Sequence, residues 1–490
     1  MAGPVGQPAA SVRYQAGARR VPRRLRARLL SFLAVAFVLP AAIQAPEQVG
    51  ALAAWASDRY PYLLLYIPLG LFGALRWFTW LMRKIPAMLY RPAITPYRAT
   101  TAIVTPVYRE DPEIFRRAIE SWIANRPNEI IAVIDVTDTT CLRIAQEYPE
   151  VRVIVTDVPG KRPALVEGIL AARSEIVVLV DSDTIFASQV IDQVLRPFAD
   201  PRVGGVGTRQ KVYQPRTIWQ RIADIYLDMR YADEAPALTQ MGQAVSCLSG
   251  RTAAYRRAIL LPLLDDFLHE TFLGKACMSG EDKRLTTLVL RAGYRTYHQG
   301  SALVWSTFPP DFRTFVKQRI RWTRNSYRSD LRAMWEGWVW RHPYLAFVLL
   351  DKAISPYTLL VGLTAFLFAL GRGHWAVALL IAIWWLLSRA IKIWPHLRRH
   401  PRDIAILPVF ILVTFLMSFV KAYALATVHH HKWLTRPVEV VNDQVVRSDQ
   451  AATVLPQRTP LLTRTLGSML VATLVSLVQV LALVLGGGLR

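Results

Sequence analysis

Two kinds of apolar pattern alternate along the chain. Long continuous apolar runs lie toward both ends, at 29–43, 60–82, 354–370, 374–391, 404–428 and 466–485. Between about 95 and 340 the apolar residues come instead in short β-branched runs separated by helical patterns. TAIVTPV (101–107), EIIAVID (129–135), VRVIVTD (151–157) and EIVVLVD (175–181) are predicted strands, and 112–124 a predicted helix. Strands that are apolar throughout and alternate with helices imply a mostly parallel sheet covered on both faces. In such sheets ligands lie beyond the carboxyl ends of the strands, and Asp135, Asp157 and Asp181 fall at those ends. The pattern therefore predicts an α/β block inserted between transmembrane helices.

The run 29–43 has the length of a signal-peptide core, but Ile43 stands three residues before the cut that Ala45 would favour, where a small residue is needed. The run 60–82 is long enough to span, and Arg83 and Lys84 follow it as a positive-inside stop. The expected organisation is a basic tail (1–28), two N-terminal spans (29–94), a cytoplasmic catalytic block (95–334), an interfacial helix with channel helices (335–428), a basic loop (429–464) and a last span (465–490). The interfacial helix is expected at 335–352, where Trp335, Trp338 and Trp340 mix with Asp351 and Lys352. One feature resists this topology. LRRHPRD (397–403) and HHHKWLTR (429–436) are both basic and should face inward, yet a single apolar run of 25 residues joins them, too few for two spans of about 20. Either that run is partly interfacial or one basic loop faces outward.

Composition supports a membrane protein. Of 490 residues 53% are hydrophobic and 19% charged, against about 25% charged in soluble domains. That excludes disorder, collagen and coiled coil. The formal charge of +24 (59 Lys+Arg, 35 Asp+Glu) gathers largely beside apolar runs, with seven arginines between 13 and 28. No zinc spacing, recognition helix or RNP-like strand accompanies it, so nucleic acid is not an expected partner. Three cysteines cannot build a disulfide framework and fit a reducing compartment.

Three segments carry candidate chemistry. DSDT (181–184) places Asp181 and Asp183 two apart at a strand end. Such a pair can share a hard divalent cation that neutralises a diphosphate leaving group, or it can simply cap a turn. GEDKRLT (280–286) opens a predicted helix over 282–292. Asp282 there can act as a general base if a hydroxyl comes within about 3 Å, or both acids can serve the helix terminus. QRIRW (318–322) puts Gln318, Arg321 and Trp322 on one face of a predicted helix over 312–327. Arginine offers a fork to phosphate oxygens and tryptophan a flat plate for a sugar ring. The alternative is a basic helix lying on lipid, with Trp322 as its anchor. PGKRPAL (159–165) could bring Lys161 and Arg162 to a phosphate or to Asp181, and the small residues around Cys247 permit close approach of a large ligand. Cys247 has no histidine near it in sequence, and the histidines at 429–431 read as surface groups at a membrane boundary. No G-x-x-x-x-G-K-[ST] run is present, which disfavours a P-loop ATPase. A transporter alone would leave the strand-end aspartates unexplained.

In this order, Asp135, DSDT, SGED and QRIRW resemble the processive family-2 membrane glycosyltransferases, the synthases of hyaluronan, chitin and cellulose. GKR (160–162), SCLSGRTAAYRR (246–257), TFLGKACMSGEDKRLT (271–286) and YALATVHHHKWLTR (423–436) look most like the hyaluronan synthases and the nodulation-type chitin-oligosaccharide synthases. The resemblance implies a GT-A fold. Asp135 would contact uridine, Lys161 and Asp181 would lie near the nucleotide, and Asp183 would hold Mg²⁺ or Mn²⁺. Asp282 would be the base, Gln318 and Arg321 would hold the diphosphate, and Trp322 would stack the acceptor sugar, with Glu281, Cys247 and Arg251 around it. The partners would be UDP-sugar donors, a growing β-linked polysaccharide and the lipid bilayer of the plasma membrane. The specific expectation is hyaluronan made from UDP-glucuronate and UDP-N-acetylglucosamine. The alternatives are chitin or another β-glycan, or non-processive transfer to a lipid. Two departures matter: Asp135 is followed by Val136-Thr137-Asp138, which splits the uridine role between Asp135 and Asp138, and Arg251 stands where the relatives have proline.

Overall fold

The computed structural model describes residues 66–430 and the backbone of Val438–Val441 and Gln444–Arg447. The basic tail, the run 29–43, most of the loop 429–464 and the run 466–485 lie outside the described residues. The chain divides into two compact units, Met1–Ile67 and Pro68–Arg490, and the elements below belong to the second.

Helix α1 (Ile67–Leu89) leads into an eight-stranded sheet. Its strands are β1 (Thr101–Val107), β2 (Glu129–Asp135), β3 (Val151–Thr156), β4 (Ile176–Val180), β5 (Thr184–Phe186), β6 (Val203–Val212), β7 (Thr252–Arg256) and β8 (Arg295–Ser306). The order is β3-β2-β1-β4-β7-β6-β8-β5. Pairings β1–β2, β1–β4, β2–β3 and β6–β8 are parallel. The short β7 runs antiparallel to both β4 and β6, and β5 antiparallel to β8, so the sheet is mixed. On β1 the alternation of side chains serves two cores: Ala102 and Val104 join one, Ile103 and Val107 the other.

The first covering helix shows how the sequence builds this arrangement. Helix α2 (Pro112–Ala124) starts at Asp111, whose side chain accepts from the amides of Glu113 and Ile114, with proline in its first turn. Phe115, Ala118, Ile119 and Trp122 then fall on one buried face. The other catalytic-block helices used below are α3 (Thr139–Gln146), α4 (Lys161–Ala171), α5 (Val190–Leu195), α6 (Ile218–Met229), α7 (Ala235–Gly242), α8 (Glu281–Arg291) and α9 (Phe312–Trp335).

After α9 come α10 (Pro343–Gly371), α11 (Trp375–Lys392) and α12 (Leu407–Ala426). Among the described residues three helical stretches are long and apolar enough to cross a membrane: Pro343–Gly371, Trp375–Lys392 and Pro401–Ala426. The region expected as one interfacial helix, 335–352, is divided instead. Trp338–Arg341 forms a 3₁₀ turn, and Pro343 starts a helix that continues without a break to Gly371. Asp351, one of the charges behind that expectation, is buried and paired with Arg76 and with Arg83 (3.1 Å) on α1. A carboxylate paired across helices can sit inside a bundle, a contact that spacing along the chain does not reveal.

Candidate active site

The strand ends, the starts of α4 and α8, and the inner face of α9 enclose one cavity of about 1060 Å³. Asp135, Lys161, Asp181, Asp183, Cys247, Arg251, Glu281, Asp282, Gln318, Arg321 and Trp322 all line it. Of the expected residues Asp138 and Arg162 do not. Asp138 caps α3, accepting from the Cys141 amide at 3.1 Å, and its other oxygen accepts from the Arg109 amide at 2.5 Å. Its carboxylate is committed to backbone, whereas Asp135 lines the cavity. Asp135 accepts from the amide (3.0 Å) and hydroxyl (2.5 Å) of Thr137.

Lys161 opens α4 behind Gly160 and reaches two carboxylates, Asp181 at 2.6 Å and Glu281 at 2.5 Å. Burial pulls the Lys161 ammonium down, but the two carboxylates outweigh it and hold it above the ordinary lysine range. Burial pushes Glu281 up, and Lys161 outweighs that and holds its carboxyl below the usual range. Glu281 thus positions Lys161. Arg162 goes elsewhere, contrary to the expectation that it would meet a phosphate or Asp181. It is buried and pairs with Glu270, donating also to the Phe267 carbonyl at 2.9 Å.

Asp282 sits in the first turn of α8. The helix begins at Gly280, whose φ of +92° is open to glycine and strained for other residues. Asp282 accepts from the Lys283 amide (2.7 Å), the Gly250 amide (3.3 Å) and the Cys247 thiol (3.6 Å). Gly250 marks the meeting point: a Cβ there would lie 3.2 Å from the Lys161 ammonium, 3.5 Å from Asp181 Oδ1 and 3.6 Å from Asp282 Cβ. Carboxylates 101 residues apart therefore flank one glycine. The Cys247 thiol is pushed up to about 11, first by burial and then by Asp282, so it is protonated at neutral pH and unsuited to nucleophilic attack.

Asp183 is held by Thr307, whose hydroxyl (2.5 Å) and amide (3.2 Å) both donate to its Oδ2. Thr307 was not anticipated. It follows β8 in an ordinary loop sequence, and only the fold brings it to Asp183. Across the cavity Gln318 is buried, with no partner for its side-chain oxygen among the described residues. The Arg251 guanidinium lies 4.2 Å from the Phe308 ring centroid and 5.2 Å from that of Trp322, and Arg251 also bonds Ser306. Arg251 thus braces the tryptophan.

A second acid–histidine group lies outside the cavity. Asp224, His396 and His400 come close enough together to suggest a cation site, but Lys211 already bonds Asp224 at 2.6 Å and both His396 nitrogens face carboxylates.

Residues 98–325 match the glycosyltransferase-like family 2 model. The chain is a glycosyltransferase, and over those residues it is similar to the family-2 type. Similar curated proteins include a type 2 glycosyltransferase of Pyricularia oryzae, 28% identical over 73% of this chain and 77% of the relative. An N-acetylglucosaminyltransferase of Rhizobium meliloti is 29% identical over 72% of this chain and 84% of its own length. Among solved structures, a mannosyltransferase of Pyrobaculum calidifontis in complex with GDP-Man and Mn²⁺ superposes with a TM-score of 0.50 at 21% identity, covering 72% of this chain and 99% of that one. The glycosyltransferase fold is therefore GT-A-like, built on a mixed sheet where the sequence pattern predicted a mostly parallel one.

Proposed function

We propose that the protein transfers N-acetylglucosamine from UDP-N-acetylglucosamine to the end of a growing β-glycan, working on the cytoplasmic face of a membrane and passing the product between its own helices. The observation that carries this reading is the meeting of Asp181 and Asp282 around Gly250, in a cavity that continues to Lys352, Ser355 and Lys421 among the apolar helices. Relatives named N-acetylglucosaminyltransferase support that sugar. The relatives reported above are named for N-acetylglucosamine transfer or for glycosyl transfer in general, which does not support the hyaluronan expectation.

In the proposed reaction Asp282 takes the proton from the acceptor hydroxyl. That oxygen attacks the anomeric carbon as the bond from that carbon to the diphosphate breaks, and UDP leaves with the bonding electrons. Attack opposite the leaving group inverts the centre and gives a β-linkage. The Gly250 and Lys283 amides and the Cys247 thiol fix the base. Hard carboxylate oxygens on one wall, one of them aimed by Thr307, are the donor set that Mg²⁺ or Mn²⁺ takes. Asp183 and Asp181 would hold such an ion, which when bound would neutralise the departing diphosphate. Asp135 would meet the uridine and Arg321 the diphosphate. Trp322 would stack the terminal sugar, and the unpartnered Gln318 oxygen would accept from one of its hydroxyls.

The test is membranes given labelled UDP-N-acetylglucosamine, alone and with UDP-glucuronate, with products digested by chitinase. Asp282→Asn should cut transfer roughly 10²–10⁴-fold while UDP still binds. A lipid-extractable single-sugar product would reject processive synthesis. Turnover near wild type in Asp282→Asn would remove the base.

A further inference from the structure

We infer that Asp138, which lies outside the cavity, is a positioning residue for the DSDT segment: it holds the turn after β1 in a conformation that the turn would otherwise leave, and that turn holds Ser182 between Asp181 and Asp183. The inference rests on the proposed reading of Asp181 and Asp183 as the carboxylates that hold a divalent ion.

The turn, at 108–111, joins the end of β1 to the cap of α2. Within it Arg109 has a φ of +49°. In that region an L-residue crowds its Cβ against the following carbonyl oxygen, and glycine alone is free of the penalty. For arginine the conformation is disfavoured roughly tenfold. The exposed Arg109 side chain lies over the neighbouring Tyr108 ring, 5.2 Å from its centroid, a contact inside the turn that ties it to nothing else.

The tie comes from the start of α3. Asp138 Oδ2 accepts from the Arg109 amide at 2.5 Å, and the Cys141 thiol faces the Glu110 carbonyl at 3.8 Å. Both side chains are buried. The other oxygen of Asp138 accepts from the Cys141 amide, so the first turn of α3 and the turn after β1 are locked together.

On the cavity side of the turn, Glu110 Oε2 accepts from the buried Ser182 hydroxyl at 2.8 Å. Each of the first three residues of DSDT is then held from a different element: Asp181 by Lys161 at the start of α4, Ser182 by Glu110, and Asp183 by Thr307 after β8. The Thr184 amide closes the segment on the Asp181 carbonyl at 3.0 Å. Glu110 differs from the other two holders in being an acid beside acids. Like charges repel, so a glutamate there with a free backbone would turn away from Asp181 and Asp183. Its place depends on the turn, and the turn depends on Asp138. Without that tether the competent turn would be populated about a tenth as often, and apparent affinity for the ion falls by the same factor as the competent fraction.

The test uses the full chain in detergent with UDP present. Mn²⁺ binding is read from the loss of the free-ion EPR signal, and backbone order from hydrogen exchange of peptides covering 108–111 and 181–184. Asp138→Ala should weaken Mn²⁺ binding about tenfold and speed exchange at both peptides. Adding Arg109→Gly should bring Mn²⁺ binding back to within about threefold of wild type, because glycine takes a positive φ without strain. The double variant still lacks the cap of α3, so recovery separates the turn from a general loss of helix stability. Ser182→Ala cuts the link at its other end. It should weaken Mn²⁺ binding by a similar factor, and Arg109→Gly should not recover it. Unchanged exchange at 181–184 in Asp138→Ala, no recovery on adding Arg109→Gly, or Mn²⁺ binding unmoved by Ser182→Ala would each overturn the inference. Wild-type enzyme that binds no Mn²⁺ would reject the ion of the proposed function. Exchange at 181–184 then decides the inference alone: faster in Asp138→Ala supports the link, and unchanged overturns it.

Discussion

The two ends of the cavity carry opposite charge. Beneath the strand ends, seven carboxylates (Glu110, Asp111, Asp135, Asp181, Asp183, Glu281, Asp282) share the lining with Lys161, Arg251, Lys283 and Arg321. Toward the apolar helices the balance reverses, with Arg83, Arg230, Lys352 and Lys421 against Asp233 and Glu234. An acid-rich wall repels a nucleotide diphosphate unless a divalent cation stands between them, which fits the ion proposed for Asp181 and Asp183. The other end needs no ion. Its ammonium and guanidinium groups are hydrogen-bond donors, and each hydroxyl of a glycan leaving water needs a partner there. Under the proposed function one end would break the bond and the other would conduct what is made.

The largest expected loss is at Asp183. Asp183→Asn should lower transfer roughly 10²–10³-fold, the scale of losing one preorganised electrostatic contact. A chelator should do the same to the wild-type enzyme, with recovery on adding Mn²⁺ or Mg²⁺. Thr307→Val should act through Asp183 and cost less, about tenfold, and Thr307→Ser should recover most of it by restoring the hydroxyl. Chelator-insensitive transfer would mean that the acid-rich end works without a divalent ion.

Some of this site was readable in the sequence, and the limit is physical. Strands 101–107 and 129–135 were predicted to the residue, because parallel strands buried on both faces form unbroken apolar runs. Asp181 and Asp183 followed from the strand before them, and Gln318, Arg321 and Trp322 from helical spacing. The insertion of β7 between β4 and β6 was not readable, since strand order depends on contacts far apart in sequence. For the same reason the Lys161–Glu281 pair, the Arg162–Glu270 pair and the Thr307–Asp183 contact could only come from the fold. Asp138 is different: an aspartate accepting from the amide three residues on is a local signal, and the resemblance drew attention away from it.

At the far end the expected effect is smaller. Lys421 is the single charge of α12, and Lys352 beside it is occupied by Glu234 at 2.6 Å. Lys421→Met should remove a charged hydrogen-bond donor from the proposed glycan path. The expected result is about a tenfold rise in acceptor KM, the scale of one charge-assisted bond, and shorter products, with donor KM moved less. Equal movement of both constants would place Lys421 in the general support of the cavity and blur the distinction between its ends.

The smallest effect concerns Cys247, which reports on the acid-rich end without taking part in the reaction. Burial, and then the Asp282 carboxylate, raise its thiol to about 11. The thiolate is the reactive species, and an ordinary cysteine titrates near 8.5. At pH 8 Cys247 should therefore react with iodoacetamide roughly a hundredfold more slowly than an exposed cysteine, gaining about tenfold in rate per pH unit until it nears pH 11. Asp282→Asn removes the nearby negative charge, so the thiol should ionise at lower pH and the labelling curve shift toward neutral. Mass spectrometry of the labelled peptide reads both curves. An unshifted curve in Asp282→Asn would mean that Asp282 lies farther from Cys247 than 3.6 Å and would loosen the cluster around Gly250.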